Sequence, residues 1–351
     1  MNQNFPLALS YDDVLLLPQI SPIKSRSDVD LSVKITPKVK LAIPLISINM
    51  TDVTGVEMAI ALGKLGGIGF LPRFETPEKE AEMVSIVKKG NVLVGAAVGC
   101  KEGYMERAEI LAKSGVDIIT LDVAHGGMLQ AIEATKNLKR KFGKNIGIIS
   151  GVVGTYETAY ALFNAGADSV RVGVGPGTIC ITRIQTGVGV PQITAVLEAS
   201  RAARKFGKTV LCDGGTKNSG DIVKGLAAGA SAVIIGSQFA GHSEAPGKLI
   251  IKDGIKYKTY NASTSLTEKK LHTSVLRDLS SDYTQHIEGV ESIVPYKGPV
   301  KNSIEVWTAN IRSGISYCGA KNIPELWKKA KFIRVSPLGI RENGAHDVIT
   351  K

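Results

Sequence analysis

The sequence predicts an α/β fold, a closed (β/α)8 barrel of the TIM type with a long lid inserted after its eighth strand. Three observations lead there. Eight short, β-branched apolar runs are spread evenly through residues 43–238, stretches of 10–20 residues with helical spacing separate most of them, and glycines stand where the apolar runs end. Continuous apolar strands alternating with amphipathic helices indicate a parallel sheet buried on both faces. Eight such units favour a closed barrel. An open doubly wound sheet is the alternative. Against it, no G-x-G-x-x-G follows the first strand and opens a helix.

In chain order the runs are IPLISIN (43–49), GGIGFL (66–71), VLVGAAVG (92–99), VDIITLDVA (116–124), NIGIISGVV (145–153), DSVRVGVG (168–175), TVLCDGG (209–215) and SAVIIGSQ (231–238). Between them VEMAIALGKL, KEAEMVSIVKK, YMERAEILAKS and AIEATKNLKRK carry the helical bias. A weak internal repeat supports the alternation: KSGVDIITLD, NAGADSVRVG and AAGASAVIIG each end a helix on glycine, turn, and begin a strand. Gly115, Gly166 and Gly229 are therefore expected at C′ positions, where a left-handed backbone is needed. Residues 1–40 precede the first strand and are expected to close the barrel bottom. Residues 239–322 are polar and poor in periodic pattern, the signature of a lid or binding loop. They would emerge at the C-terminal face, where barrel active sites are built. The chain of 351 residues is thus read as one catalytic barrel domain over 1–351.

Composition narrows the class. Hydrophobic content of 44% and charged content of 21% are those of a globular protein, and no apolar run is long enough to span a membrane. The N-terminal MNQNFPLALSYDD has no basic stretch followed by an apolar core, so no signal peptide is expected. The four cysteines, Cys100, Cys180, Cys212 and Cys318, never form C-x-x-C, which argues against a zinc site or disulfide framework and fits a reducing cytoplasm. The net charge of +11 has two readings, a lysine-rich surface or attraction of an anionic small molecule. Its lysines are scattered without interleaved aromatics, so no specific nucleic-acid partner is expected.

Residues 173–182, GVGPGTICIT, pose the functional question. Structural cysteines prefer apolar element interiors, whereas Cys180 sits among glycines just beyond the sixth strand. At that place in a barrel it faces the catalytic side, which favours a nucleophile over an incidental cysteine. The glycines let backbone approach a ligand closely, and successive carbonyls there could hold a monovalent cation. Asp213-Gly214-Gly215 after strand seven and Gly236-Ser237 after strand eight offer the backbone N–H groups of a phosphate cradle. Asp213 would then face ribose hydroxyls. Asp122, ending strand four in LDVAHGG, is a further polar candidate, while His125 beside it reads as structural.

These residues are embedded in a recognisable pattern. VRVGVGPGTICITRIQTGVGVPQITAV resembles the cysteine-loop signature of the IMP dehydrogenase and GMP reductase family. The likeness runs through SYDDVLLLP, GGIGFL, LDVAHGG, DGGTKNSGDIVKGLAAGASAVIIGS, VPYKGPV, IRSGISYCGA and the terminal HDVIT. The resemblance implies a tetrameric (β/α)8 barrel acting on a purine 5′-monophosphate, with NAD in a dehydrogenase or NADPH in a reductase, and a potassium ion. It implies that Cys180 attacks the purine ring and that Thr182 helps activate water or an ammonia leaving group. Thr178, Gly215, Gly236, Ser237 and Tyr260 match phosphate contacts, and Gly214 belongs to the same turn. Asp213 matches the ribose-binding aspartate, and Glu288 the residue reaching the base. Gly175, Gly177 and Cys180 match carbonyl ligands of potassium, and Asp122, Gly173 and Gly175 are placed on the cofactor side.

Two enzymes share this pattern. Towards a reductase point the absence of a CBS-module insert after strand two, AGHSE (240–244), LDVAHG and TRIQTG. Towards a dehydrogenase point GVGVPQITAV, the SGDIVKGLAAGA helix, VPYKGPV, RSGISYCGA and HDV, a set spanning more of the chain. Ser265 to Glu288 is 23 positions, close to a dehydrogenase lid. There Arg277 falls near the arginine that helps activate the hydrolytic water, with Asp278 where tyrosine is usual. Three segments depart from the pattern: Asn49-Met50-Thr51-Asp52, Gly151-Val152-Val153, which loses an asparagine, and Tyr260-Asn261-Ala262-Ser263-Thr264-Ser265. The expected function is therefore IMP dehydrogenase, with GMP reductase as the alternative and a nucleotide-binding protein without turnover as the third reading.

Overall fold

The computed structural model describes residues 5–275 and 282–344. Eight parallel strands close into a barrel. They are β1 (Leu45–Ser47), β2 (Ile68–Leu71), β3 (Val94–Val98), β4 (Ile118–Asp122), β5 (Gly147–Val153), β6 (Ser169–Val172), β7 (Thr209–Asp213) and β8 (Ala232–Ile235). Closure is made by β8 against β1, with Ile234 opposite Ile46. Each strand falls in one of the eight apolar runs. They are buried almost without interruption on both faces, which is why they read as continuous hydrophobic runs.

Eight helices form the outer ring: α1 (Val56–Lys64), α2 (Pro77–Lys89), α3 (Tyr104–Lys113), α4 (Leu129–Phe142), α5 (Tyr156–Asn164), α7 (Gln192–Phe206), α8 (Ser219–Ala227) and α11 (Val300–Tyr317). A short α6 (Thr182–Thr186) lies between β6 and α7. Helix α2 shows how local chemistry sets the ends. The Thr76 hydroxyl accepts from the Lys79 N–H, Pro77 opens the first turn, and Lys88 and Lys89 complement the C-terminal dipole. Gly115, Gly166 and Gly229 have φ of +87°, +103° and +114°, as their C′ reading requires.

The N-terminal segment is divided between both ends of the barrel. A hairpin of Val33–Lys34 with Lys40–Leu41 sits at the bottom, where Thr209 at the start of β7 donates to the Ile35 carbonyl at 2.7 Å. Residues 9–12 instead climb to the opposite end. The Tyr11 hydroxyl meets the Cys212 sulfur at 2.8 Å, and Leu9 and Thr194 exchange hydrogen bonds. Only part of 1–40 therefore closes the bottom.

The insertion after β8 is also more ordered than its composition suggests. It begins with α9 (Ser237–Ala240) and forms an antiparallel sheet of β9 (Leu249–Lys252), β10 (Ile255–Thr259) and β11 (Ile293–Pro295), with α10 (Leu266–Val275) between β10 and β11. From Val300 the chain is no longer lid, because α11 completes the ring as the eighth barrel helix. Its buried residues Val300, Ile304, Thr308, Ile311 and Ile315 form one helical stripe against the barrel. The boundary of 239–322 therefore ran past the lid's end.

Candidate active site

At the C-terminal mouth of the barrel lies a cavity of about 460 Å³ roofed by the lid. Cys180, Thr182 and Glu288 all line it, and they are bonded in series. The Thr182 hydroxyl donates to Glu288 Oε2 at 2.7 Å and stands 3.1 Å from the Cys180 sulfur. A hydroxyl has one proton, and Thr182 gives it to the carboxylate, so the thiol is the donor to Thr182. The lid sets this alignment. The N–H of Ile181 donates to the Glu288 carbonyl at 2.9 Å and the N–H of Val290 to the Ile179 carbonyl at 3.1 Å, an antiparallel bridge joining the cysteine loop to the lid's return segment.

In the same cavity, two hydroxyls converge from different loops. Thr178 Oγ1 and Ser237 Oγ are 3.2 Å apart, with Gly214, Gly215 and Gly236 beside them on the cavity wall. Gly214 and Gly215 have φ of +82° and +83°, so the turn after β7 needs glycine at both positions. Close approach explains a third glycine: a Cβ on Gly173 would stand 2.1 Å from the Asp213 carbonyl. Tyr260 is buried, and burial pushes its phenol up.

Charge runs across the mouth in alternation. Arg171, projecting from β6, grips Asp213 with Nε at 2.9 Å and a terminal nitrogen at 2.7 Å. Its other terminal nitrogen donates to Asp122 at 3.0 Å, and Asp122 in turn lies 3.5 Å from Arg73 Nε. Burial pushes the Asp213 carboxyl up, and the Arg171 guanidinium works against that rise. One cation thus holds two carboxylates at the ends of β4 and β7.

Gly175 and Gly177 line the cavity beside Cys180. Arg277 and the terminal HDV fall outside the described residues. His125 is exposed and lies apart from the cavity-lining residues, so it is neither placed at the site nor the buried, satisfied histidine expected of a structural role. AGHSE also lies away from the cavity. Glu244 caps α11 by accepting from the Val300 N–H, and His242 Nδ1 meets the Gly298 carbonyl at 2.9 Å, so this motif anchors the lid's base.

Sequence reasoning passed over Arg171, Arg73, Phe74, Lys269, Tyr283 and His286, all of which line the cavity. For Arg171 a signal existed, as the lone charge in the apolar run SVRV. The lid residues had none, since nothing local says which face of an inserted segment will turn inward. Two of the divergent segments meet, through Asp52 and Asn261. Thr51 donates to Glu268 at 2.6 Å, and Asp52 accepts from Thr259 at 3.1 Å and from the Asn261 N–H at 2.9 Å. Val152 presents an apolar wall where the expected pattern has an asparagine.

A family model described as IMP dehydrogenase / GMP reductase domain matches residues 8–346. An inosine-5′-monophosphate dehydrogenase from Cryptosporidium parvum is 37% identical, across 99% of this chain and 96% of that one. One from Nitrosopumilus maritimus is 32% identical across 98% of this chain and 99% of its own. Their alignment runs to 475 positions against 351 residues here, so the relative carries internal residues without counterpart. A GMP reductase from Leishmania donovani is 30% identical across 98% of this chain and 97% of its own. A crystal structure of Trypanosoma brucei GMP reductase in complex with guanosine 5′-monophosphate superposes with a TM-score of 0.93 at 29% identity, covering 99% of both chains. Fold and relatives together define the class, a (β/α)8-barrel NAD(P)-dependent oxidoreductase of purine nucleotides. The chain belongs to the IMP dehydrogenase / GMP reductase family.

Proposed function

We propose that this enzyme is an IMP dehydrogenase, converting IMP, NAD and water to XMP and NADH through a covalent adduct on Cys180. The observation that carries the reading is the series Cys180–Thr182–Glu288 set between the converging hydroxyls and the lid. Thr178, Ser237 and the backbone N–H groups of Gly215, Gly236 and Ser237 take the phosphate, with Gly214 shaping the turn and Tyr260 packed against it. Asp213, held by Arg171, accepts from the ribose hydroxyls. This pins the purine over the thiol, and anchoring by groups remote from the reacting atoms is what positions a near-attack geometry.

As the Cys180 sulfur bonds to C2, its proton passes to Thr182 and that of Thr182 to Glu288, which frees the thiolate when it is needed. Bound nicotinamide supplies the acceptor for the hydride leaving C2. Asp122, Gly173 and Gly175 border the cofactor's place, and Asp122 keeps a carboxylate oriented by Arg171 and Arg73 for a cofactor hydroxyl. Water then adds to C2, the carbon–sulfur bond breaks, and XMP departs. The carbonyls of Gly175, Gly177 and Cys180, neutral oxygens of one glycine-rich loop, would hold a potassium ion, which would fix the loop bearing the nucleophile. A cytoplasmic homotetramer is the working form we assign.

Purified protein given IMP, NAD and potassium should form NADH and XMP in equal amounts; formation of neither rejects the reading. A second reading has its own support in the Thr182–Glu288 hydrogen bond. That pair could protonate departing ammonia in a GMP reductase, and GMP-dependent oxidation of NADPH without IMP oxidation would establish it. The complete series at Cys180 speaks against a binding protein without turnover.

A further inference from the structure

We propose that Tyr283, backed by His272 and Glu268, is the lid's proton-handling group, a phenol that takes the proton of the attacking water in the hydrolytic half-reaction. The inference rests on the dehydrogenase reading above and assigns to this part of the lid the role expected of Arg277. Tyr283 lines the same cavity as Cys180, Thr182 and Glu288. Its hydroxyl lies 3.0 Å from His272 Nδ1. The fully buried His272 ring is stacked on Phe74, with centroids 3.6 Å apart and planes 3° from parallel. On the far side its Nε2 faces Glu268 Oε2 at 3.6 Å, and that same oxygen accepts from the Thr51 hydroxyl at 2.6 Å. Lys269 donates to the carbonyls of Tyr283 and His286 and places its ammonium 4.6 Å from the Tyr283 ring centre, so the segment carrying the phenol is fixed as well.

Carboxylate, imidazole and hydroxyl in line are the arrangement that activates a hydroxyl by an oriented base. The Glu268 carboxylate favours the imidazole proton on Nε2, which leaves the Nδ1 lone pair for the phenol. Around His272 the titratable groups are Glu268 and Lys269 on its own helix, Arg73 from the end of β2, and Tyr283. Burial holds the His272 pKa below its ordinary value, with Glu268 offsetting part of that, so the ring rests neutral and able to accept. Burial opposes ionisation of Glu268, but the nearby His272 imidazole and the hydrogen bond from Thr51 outweigh burial and hold its pKa below the ordinary value.

A second acceptor has a use. Forming the adduct leaves the thiol's proton on Glu288, so the water that follows needs another base. Its oxygen bonds to C2, the carbon–sulfur bond breaks, and the electron pair returns to Cys180. One water proton goes to the phenol oxygen as the phenol's own proton passes to His272 Nδ1, and the other ends on the adjacent ring nitrogen. The products are XMP, a Cys180 thiolate and an imidazolium facing Glu268.

Rapid mixing of wild type, Tyr283→Phe, His272→Gln and the double variant with IMP and NAD separates the half-reactions. The first-turnover burst of NADH should persist in all four. Steady-state turnover should fall about a hundredfold in Tyr283→Phe, with nucleotide accumulating on Cys180 in acid-quenched samples. The double variant should be within about threefold of the slower single, because residues acting as a unit are not additive. Wild-type kcat should fall as acid protonates His272, a limb absent from His272→Gln. A Tyr283→Phe enzyme turning over within about threefold of wild type overturns the proposal, as does one losing burst and turnover equally. Should His272→Gln fail to fold, Tyr283→Phe decides alone, since it deletes a single oxygen. A wild type without burst or IMP turnover overturns the dehydrogenase reading and this inference with it, whereas a bursting wild type beside an unimpaired Tyr283→Phe overturns this inference alone.

Discussion

Thr182 and Glu288 are 106 positions apart in sequence and 2.7 Å apart in space, the threonine hydroxyl donating to the carboxylate while it receives the Cys180 thiol. On the proposed mechanism the nucleophile's base is therefore supplied by the lid, and the thiol is activated through an intermediary. Replacing Thr182 by valine keeps the shape and removes the relay. Turnover should drop about a hundredfold, the usual worth of a positioned acid–base group. Alkylation of Cys180 by iodoacetamide should slow in parallel. Unchanged alkylation and turnover in Thr182→Val would show that the thiol does not depend on this path.

Arg171 carries a different load, being the buried cation between Asp213 and Asp122. Arg171→Met would leave Asp213 buried without its partner, a loss that costs about 3–5 kcal/mol when a buried pair is broken. Denaturant unfolding should show it. Arg171→Lys keeps the charge but not the two-pronged grip, so it should fold and show a raised KM for the nucleotide. A lysine variant with wild-type KM would mean that the orientation of Asp213 does not matter.

The proposed phosphate turn can be tested by one methyl group. Gly215 has φ of +83°, and a Cβ there would lie 3.1 Å from Pro176 Cβ. Gly215→Ala should cost about 1–2 kcal/mol for the left-handed backbone alone. It should also weaken nucleotide binding while leaving binding of the bare nucleoside nearly unchanged, because in the proposed binding mode only the phosphate uses this turn. Equal loss for nucleotide and nucleoside, measured by calorimetry, would point to general unfolding of the mouth.

Acid should weaken the fold through its buried histidines. Burial depresses the pKa of His272, and of His242 likewise, below the ordinary 6.5. Between that value and the lower folded value the unfolded chain binds more protons, so stability declines as pH falls through this window and levels off beneath it. Urea unfolding at about pH 7.5 and 5.5 should show the decline, and His272→Gln should reduce its slope. A slope untouched by that substitution would place the effect on other groups.

Much of the barrel was legible because its strands are buried on both faces, and a run such as SAVIIG can hardly be anything but a strand or a short core helix. Gly166 and Gly229 punctuated it, since their positive φ admits few other residues. Cys180, Asp213 and Ser237 could be placed at the mouth because every parallel barrel strand ends there. Helix α11 was harder, its stripe of Ile304, Ile311 and Ile315 being interrupted by polar Thr308 and flanked by exposed apolar residues such as Val306. Tyr11 was misplaced because a segment outside the repeat has no register to say where it lies. The lid's inward face was illegible for a related reason: Lys269 and His272 meet Tyr283 and Phe74, and their neighbour Glu268 meets Thr51, so the face is set by three separate parts of the chain.

The central claim is that Cys180 forms the covalent bond to the purine. The direct measurement is the kcat of Cys180→Ala beside wild type, with nucleotide affinity of both followed by calorimetry. The account predicts that turnover falls by several orders of magnitude while the variant folds and binds IMP with nearly unchanged affinity. A Cys180→Ala enzyme that retains more than about a tenth of wild-type turnover would contradict it, since the loss of a nucleophile costs far more than that.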